Sequence, residues 1–241
     1  MTDVATPDSD RSPAETDERR PPEGVAVEPA ARGGVYALLA TLFAQPDEEL
    51  YRDLERGAVT AEFERLVDRS GLDVAPPDCA VEDDHDTLSA RFNDLFVVGY
   101  SEVVDKTDGT VANEGPPVSL YESDYRPEVS WNDVNLDLAR AYEHFGCQVD
   151  EEVRRNHDHL RLQLEFAGYL CRREAAVDPG VAAARLDFHD RHLRVISEGI
   201  ADAMGTEPGT GLFGRLADFL DRFTAADVED LAARREGGDG A

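Results

Sequence analysis

The segment from Leu160 to Cys171 restricts this chain more than any other. Leu160, Leu162, Leu164 and Phe166 alternate with Arg161, Gln163 and Glu165, the pattern of a half-buried strand. The alternation then fails, because Ala167, Gly168, Tyr169, Leu170 and Cys171 continue with no charged residue among them. The composition decides between the two readings. Leu, Gln, Glu and Arg are unbranched at Cβ and favour helix over strand. The full segment, at about 15 residues, is also long for a strand. A helix that is apolar on most sides has to lie among other helices.

Helical spacing recurs on both sides of it. Tyr36, Leu39, Leu42 and Phe43 line a first helix, and Leu50 and Leu54 a short second closed by Gly57. Phe63, Leu66 and Val67 mark a third, with Thr60 in the position of a cap and Gly71 as a stop. Leu88, Phe92, Leu95 and Phe96 make a fourth; Val134, Leu138, Tyr142 and Phe145 make a fifth between Ser130 and Gly146. After the Leu160 segment, Asp178-Pro179 has the cap-then-proline order that opens a seventh, carrying Phe188, Leu193, Ile196 and Ile200. Leu212, Phe213, Leu216, Phe219 and Leu220 form an eighth. Thr224 and Asp227, in capping-box-like spacing, open a short ninth that ends at Arg235. The expectation is an all-α fold, a single globular domain of about nine helices over residues 29–235. Residues 1–28 read as a disordered acidic tail and 236–241 as a frayed one. Residues 71–84 and 99–130 are linkers, the second long enough to suggest a role in function.

The chain carries a net charge of −28, with Lys106 its sole lysine. Such a surface excludes nucleic acid as a partner, since phosphate backbones need clustered cations. Residues 1–28 have no apolar core for a signal peptide. The arginine pair Arg19-Arg20 is followed at once by Pro21-Pro22, so it is no export signal. No run of about 18 apolar residues is present for a stable membrane span. Cys79, Cys147 and Cys171 form no close pair, which suggests free thiols in a reducing compartment, two of them buried in helices.

Catalytic and cofactor signatures are missing. There is no nucleophile elbow, no P-loop and no dinucleotide fingerprint. The Gly205–Gly214 stretch lacks the lysine and the preceding strand of a phosphate cradle. His157 and His159 are two apart and point to different sides of a helix. His189 and His192 share a face but have no third ligand nearby. The expectation is no enzyme, no cofactor and no metal site. A small helical metal-binding protein or a plain helical interaction module remains as an alternative.

Two constellations stay open on the residues alone. Asp158-His159 is either a helix cap with a histidine in the first turn, or a polar pair at the rim of an apolar groove; both can hold together. Tyr121-Glu122-Ser123-Asp124-Tyr125 is either a surface loop pinned by two tyrosines, or one wall of a peptide groove with carboxylates for guanidinium groups.

In this order these motifs resemble the TorD/DmsD/NarJ family of redox-enzyme maturation chaperones. Leu95-Phe96-Val97 is similar to the family's Leu-Phe segment, and Tyr121–Tyr125 to its Tyr-Glu-Ser-x-Tyr box. Asp158-His159-Leu160 with Leu164-Glu165-Phe166 is similar to its Asp-His-Leu helix. His192-Leu193, Phe213 and Leu216-Ala217 resemble its closing helices. The resemblance implies a non-catalytic, cytoplasmic chaperone. It would bind the twin-arginine signal peptide or apoprotein of a molybdopterin oxidoreductase catalytic subunit, assist cofactor insertion and proofread export. The peptide-binding residues implied are Leu95, Phe96, Tyr121, Glu122, Ser123, Tyr125, Asp158 and His159. The acidic, lysine-poor surface further resembles that of halophile proteins, which implies a salty cytoplasm.

Overall fold

A computed structural model describes residues 24–99, 101–105, 110–113, 115–150 and 156–238. The helices are α1 (Val27–Leu42), α2 (Glu48–Glu55), α3 (Ala58–Ser70), α4 (His85–Phe96), α5 (Trp131–His144), α6 (Leu160–Ala176), α7 (Val181–Phe188), α8 (Arg194–Thr206) and α9 (Gly211–Gly238). The expected tail over 1–28 lies, up to residue 23, outside the described residues, and α1 opens at Val27. Helix α9 continues through residues 236–238. Among the described residues the fold is all-α apart from one small hairpin, β1 (Ser101–Asp105) against β2 (Thr110–Asn113), in which Val103 pairs with Val111 in register. The hairpin lies in the 99–130 linker, where no regular structure was expected.

The Leu160 segment is the central helix, and α6 packs most extensively against α1. The reason is a close crossing at two glycines. A Cβ on Gly33 would fall 3.1 Å from the Gly168 carbonyl oxygen, and a Cβ on Gly168 would fall 3.1 Å from the Gly33 carbonyl oxygen. Glycine costs helix stability in isolation, and here it lets two backbones touch. Around that crossing an aromatic core closes. Phe92 and Phe96 meet Phe213 edge-on at 5.6 and 5.5 Å, and Phe63 meets Phe219 at 5.2 Å.

Local signals misplaced three boundaries. Helix α3 starts at Ala58 after Gly57, which has φ 74°, so Thr60 lies inside it. Helix α7 starts at Val181, because the Asp178 carboxylate accepts from the Gly180 amide in a turn ahead of the helix. Residues 181–206 then run as one rod through a π turn at His189–Leu193. The expected break before Thr224 does not occur. Thr224 sits inside α9, its hydroxyl donating to the Leu220 carbonyl at 2.9 Å. A Thr followed three residues on by Asp suits a cap, but the apolar spacing of Leu216, Phe219, Leu220, Phe223 and Leu231 carries the helix straight through.

Asp227 is instead an interior anchor. Its carboxylate accepts from Arg32 (3.0 Å), Arg185 (2.6 Å) and the Tyr36 hydroxyl (2.7 Å), and faces His189 Nε2 at 3.3 Å. Glu174 holds Arg185 at 2.5 Å and Arg234 at 3.1 Å, and Asp230 holds Arg32 at 2.6 Å. These bonds tie α9 to α1, α6 and α7. Buried charge is tolerated only when paired in this way. Burial alone would raise the Asp227 carboxyl. Arg185 foremost, then His189 and Arg32, outweigh that and hold it well below the usual carboxylate range.

Candidate functional site

The Tyr121–Tyr125 segment folds as a 3-10 turn over Glu122–Tyr125, and its entry pairs with the start of α6. Tyr121 and His159 form an antiparallel bridge. The Leu160 amide donates to the Leu120 carbonyl at 2.8 Å, and the Glu122 amide to the Asp158 carbonyl at 3.0 Å. Residues 36 to 40 positions apart are thereby clamped through the backbone, by amides that every residue except proline carries. The side chains add the specific part.

Glu122 is fully buried. Its carboxylate accepts from Gln163 Nε2 at 2.8 Å and faces His192 Nδ1 at 3.1 Å and Arg126 Nε at 2.9 Å. His192 Nε2 faces Asp137 of α5 at 3.2 Å. Asp158 is also fully buried; its Oδ2 accepts from the Ser123 amide at 3.2 Å, while its own amide donates to Asn135 Oδ1 at 3.2 Å. The other carboxylate oxygen, Oδ1, is buried and has no hydrogen-bond partner among the described residues. His159, not Asp158, caps α6: its Nδ1 accepts from the Arg161 amide at 3.1 Å. The Tyr121 ring meets the His159 ring edge-on at 5.0 Å.

Tyr125 holds the turn from the other side. Its hydroxyl donates to the Ser119 carbonyl at 2.8 Å, and its ring lies on Gly199 of α8, where a Cβ would come 2.4 Å from Cδ1. Burial first, then Asp124, raises its phenol.

Beside this cluster an apolar cleft of about 290 Å³ opens between α5 and α6, with Tyr142, Leu162, Phe166 and Tyr169 in its walls. Tyr142 and Phe166 pack at 4.7 Å. The Tyr142 hydroxyl donates to the His157 carbonyl at 2.9 Å, so the cleft wall also braces the turn before α6.

Among the described residues no three His, Cys, Asp or Glu side chains gather in a way that would hold a metal. The π turn sends His189 to Asp227 and His192 to Glu122, which separates two histidines that a regular helix would place on one face. Two of the three thiols are buried, as expected, but only Cys171 is helical; Cys79 lies in the 71–84 linker. Burial pushes both up to about 12. Among the described residues no helix is long and apolar enough to cross a membrane.

The sequence profile described as nitrate reductase delta subunit matches residues 58–196, a span that holds the whole of this cluster. The chain belongs to the nitrate reductase delta subunit family. Three relatives of this delta-subunit-type chain are assembly chaperones. The selenate reductase assembly chaperone protein of Thauera selenatis is 32% identical over 172 residues, covering 68% of this chain and 72% of that protein. The chlorate reductase assembly chaperone protein of Ideonella dechloratans is 31% identical over 173 residues, with the same coverage. The perchlorate reductase assembly chaperone protein of Dechloromonas aromatica (strain RCB) is 26% identical over 218 residues, covering 83% of this chain and 90% of that one. This delta-subunit-family protein is thus a redox-enzyme maturation chaperone and not an enzyme.

In this delta-subunit fold the residues singled out from sequence fall into two groups. Tyr121, Glu122, Ser123 and Tyr125 do meet Asp158 and His159, through the backbone bridge and the Ser123–Asp158 bond. Asp158 and His159 are buried, not at a rim, and Glu122 faces Arg126 of its own chain. Leu95 and Phe96 lie in the core, Phe96 against Phe43 and Phe92, and the Val118 amide of the linker donates to the Leu95 carbonyl at 3.0 Å. Gln163, Asn135, Asp137 and Arg126 escaped sequence reasoning. Gln163 left one readable trace, an amide on an otherwise apolar face of α6.

Proposed function

We propose that this chain is a cytoplasmic maturation chaperone for the catalytic subunit of a molybdopterin oxidoreductase. It binds that subunit's twin-arginine signal peptide or apoprotein, keeps it from export until the cofactor is inserted, and then releases it. The observation that carries this reading is the likeness to reductase assembly chaperones at 32% and 31% identity over more than two thirds of each chain. The buried cluster supports it. Tyr121, Glu122, Ser123, Tyr125, Asp158 and His159 form a buried frame against which a peptide docks without reordering the protein; Leu95 joins the segment leading into it to the core through the Val118 amide, with Phe96 packed in that core. A nitrate, dimethyl sulfoxide or trimethylamine oxide reductase, or a dimethyl sulfide dehydrogenase, would each suit as client.

Apolar burial supplies the affinity. About 300 Å² of apolar surface at about 25 cal/mol/Å² gives about 7 kcal/mol before ordering costs, which suits a partner that must be released. The test is co-expression with a molybdopterin catalytic subunit carrying an arginine-pair leader. The full chain should co-purify with the cofactor-free subunit and not with the loaded one. Equal recovery of a leaderless, cofactor-loaded subunit, or no recovery of either form, would sink the reading.

A further inference from the structure

Several clefts open on the surface, and most are walled by arginine, as expected where nearly every basic side chain is one. Arg215 and Arg222 line the cleft beside α8 and α9, Arg140 and Arg191 the one between α5 and α7, and Arg91 those beside α4. The α5–α6 cleft differs. Its described walls carry the carboxylates of Asp150 and Glu165 and no arginine, lysine or histidine. The other clefts set carboxylates beside their arginines, so an arginine-bearing partner meets mixed charge there and carboxylates alone on the described walls here.

Resting on the function proposed above, we infer that the α5–α6 cleft takes the peptide: its apolar side chains lie against Tyr142, Phe166 and Tyr169, and a preceding arginine pairs with Glu165. The floor is preformed. Phe166 is packed by Tyr142 at 4.7 Å and by Phe188 at 5.0 Å, so it need not move to receive a ligand. Glu165 is exposed and faces Arg161 at 2.9 Å on the same helix. A hydrated pair of that kind exchanges partners readily. The incoming guanidinium would make the same contact with an apolar wall behind it, where water competes less. The cleft is joined to the frame, because Tyr142 donates to the His157 carbonyl beside Asp158 and His159.

Cys147 lies half-buried in this cleft, whereas Cys79 and Cys171 are buried elsewhere. The native chain thus carries one reporter thiol at the proposed site. The experiment uses the full chain and a synthetic peptide in which an arginine pair precedes an apolar run of about 12 residues. Binding is followed by calorimetry, and maleimide alkylation of Cys147 by mass spectrometry. Saturating peptide should slow Cys147 alkylation by roughly tenfold or more, while Cys79 and Cys171 stay unlabelled. Glu165→Arg, at an exposed position that leaves the fold intact, should weaken binding by roughly three- to tenfold. A peptide with the two arginines replaced by glutamate should recover that loss. Wild-type affinity with unchanged Cys147 alkylation and a neutral Glu165→Arg would overturn this location and leave the chaperone reading standing. No binding to the wild-type chain would overturn both.

Discussion

The Glu122 carboxylate lies 3.1 Å from Nδ1 of His192, 70 positions away in sequence, and both side chains are buried. It joins the Tyr121–Tyr125 turn to the π turn between α7 and α8, and Asp137 extends the link to α5. Removing one side leaves the other partly uncompensated. Glu122→Ala should cost roughly 2–4 kcal/mol of unfolding free energy, because His192, Arg126 and Gln163 lose a shared acceptor. Glu122→Gln should cost less, since the amide keeps the volume and one acceptor oxygen. A double-mutant cycle with His192→Phe, read by denaturant unfolding, should give a coupling of roughly 1–3 kcal/mol. Additivity within about 0.5 kcal/mol would mean that the contact does not matter to the frame.

Asp227 sets an acid limit on the fold. Its carboxyl is depressed by Arg185, His189 and Arg32 against the opposing effect of burial. A depressed carboxyl contributes its full stability above the unfolded value of about 3.9, and that contribution is lost as the pH falls toward the folded value. Asp227→Asn should destabilise the chain at neutral pH by roughly 3–5 kcal/mol, leaving Arg32 and Arg185 short of a counter-charge. Its melting temperature should then fall less steeply than that of the wild type below about pH 4. Parallel slopes for the two proteins would show that other carboxylates set the acid limit.

Two glycines should respond oppositely to alanine. At Gly168 a Cβ meets the Gly33 carbonyl oxygen at 3.1 Å, so Gly168→Ala should push α1 from α6 and cost roughly 1–3 kcal/mol. At Gly205, in the last turn of α8, nothing lies within 4 Å of the added carbon. Gly205→Ala should therefore gain up to about 1 kcal/mol from helix propensity. Thermal unfolding of the pair checks both signs. A neutral Gly168→Ala would mean that the crossing relaxes without penalty.

Affinity for the signal peptide proposed as ligand should resist salt. Between about 0.1 and 1 M KCl the Debye length falls from about 10 to 3 Å, which removes long-range attraction but not apolar burial or a contact pair. The dissociation constant should shift by less than about tenfold over that range, measured by calorimetry. A collapse of about a hundredfold with the fold intact would place the affinity in charge capture instead.

Much of the architecture could be read along the chain. The all-α class, the central place of the Leu160–Cys171 segment and most helix faces follow from spacing and propensity, because both act within a turn or two of backbone. Thr224 and Asp227 mark the limit of such reasoning: their spacing matches a cap, yet the apolar face continues through them and carries Asp227 inward to two arginines. The motif Asp158-His159 was legible as a helix start, but which of the two caps it was not, since the choice depends on the Ser123 amide that occupies Asp158. The need for glycine at Gly168 shows only in the fold, where the Gly33 backbone lies against it. What tertiary structure alone decided is which distant groups meet: Glu122 with His192, Tyr125 on Gly199, and a cleft between α5 and α6 whose described walls hold no arginine. Burial makes those pairings necessary, because an interior charge needs a partner and an interior ring needs a surface. Local sequence says only that such groups exist, not where the folded chain will bring them.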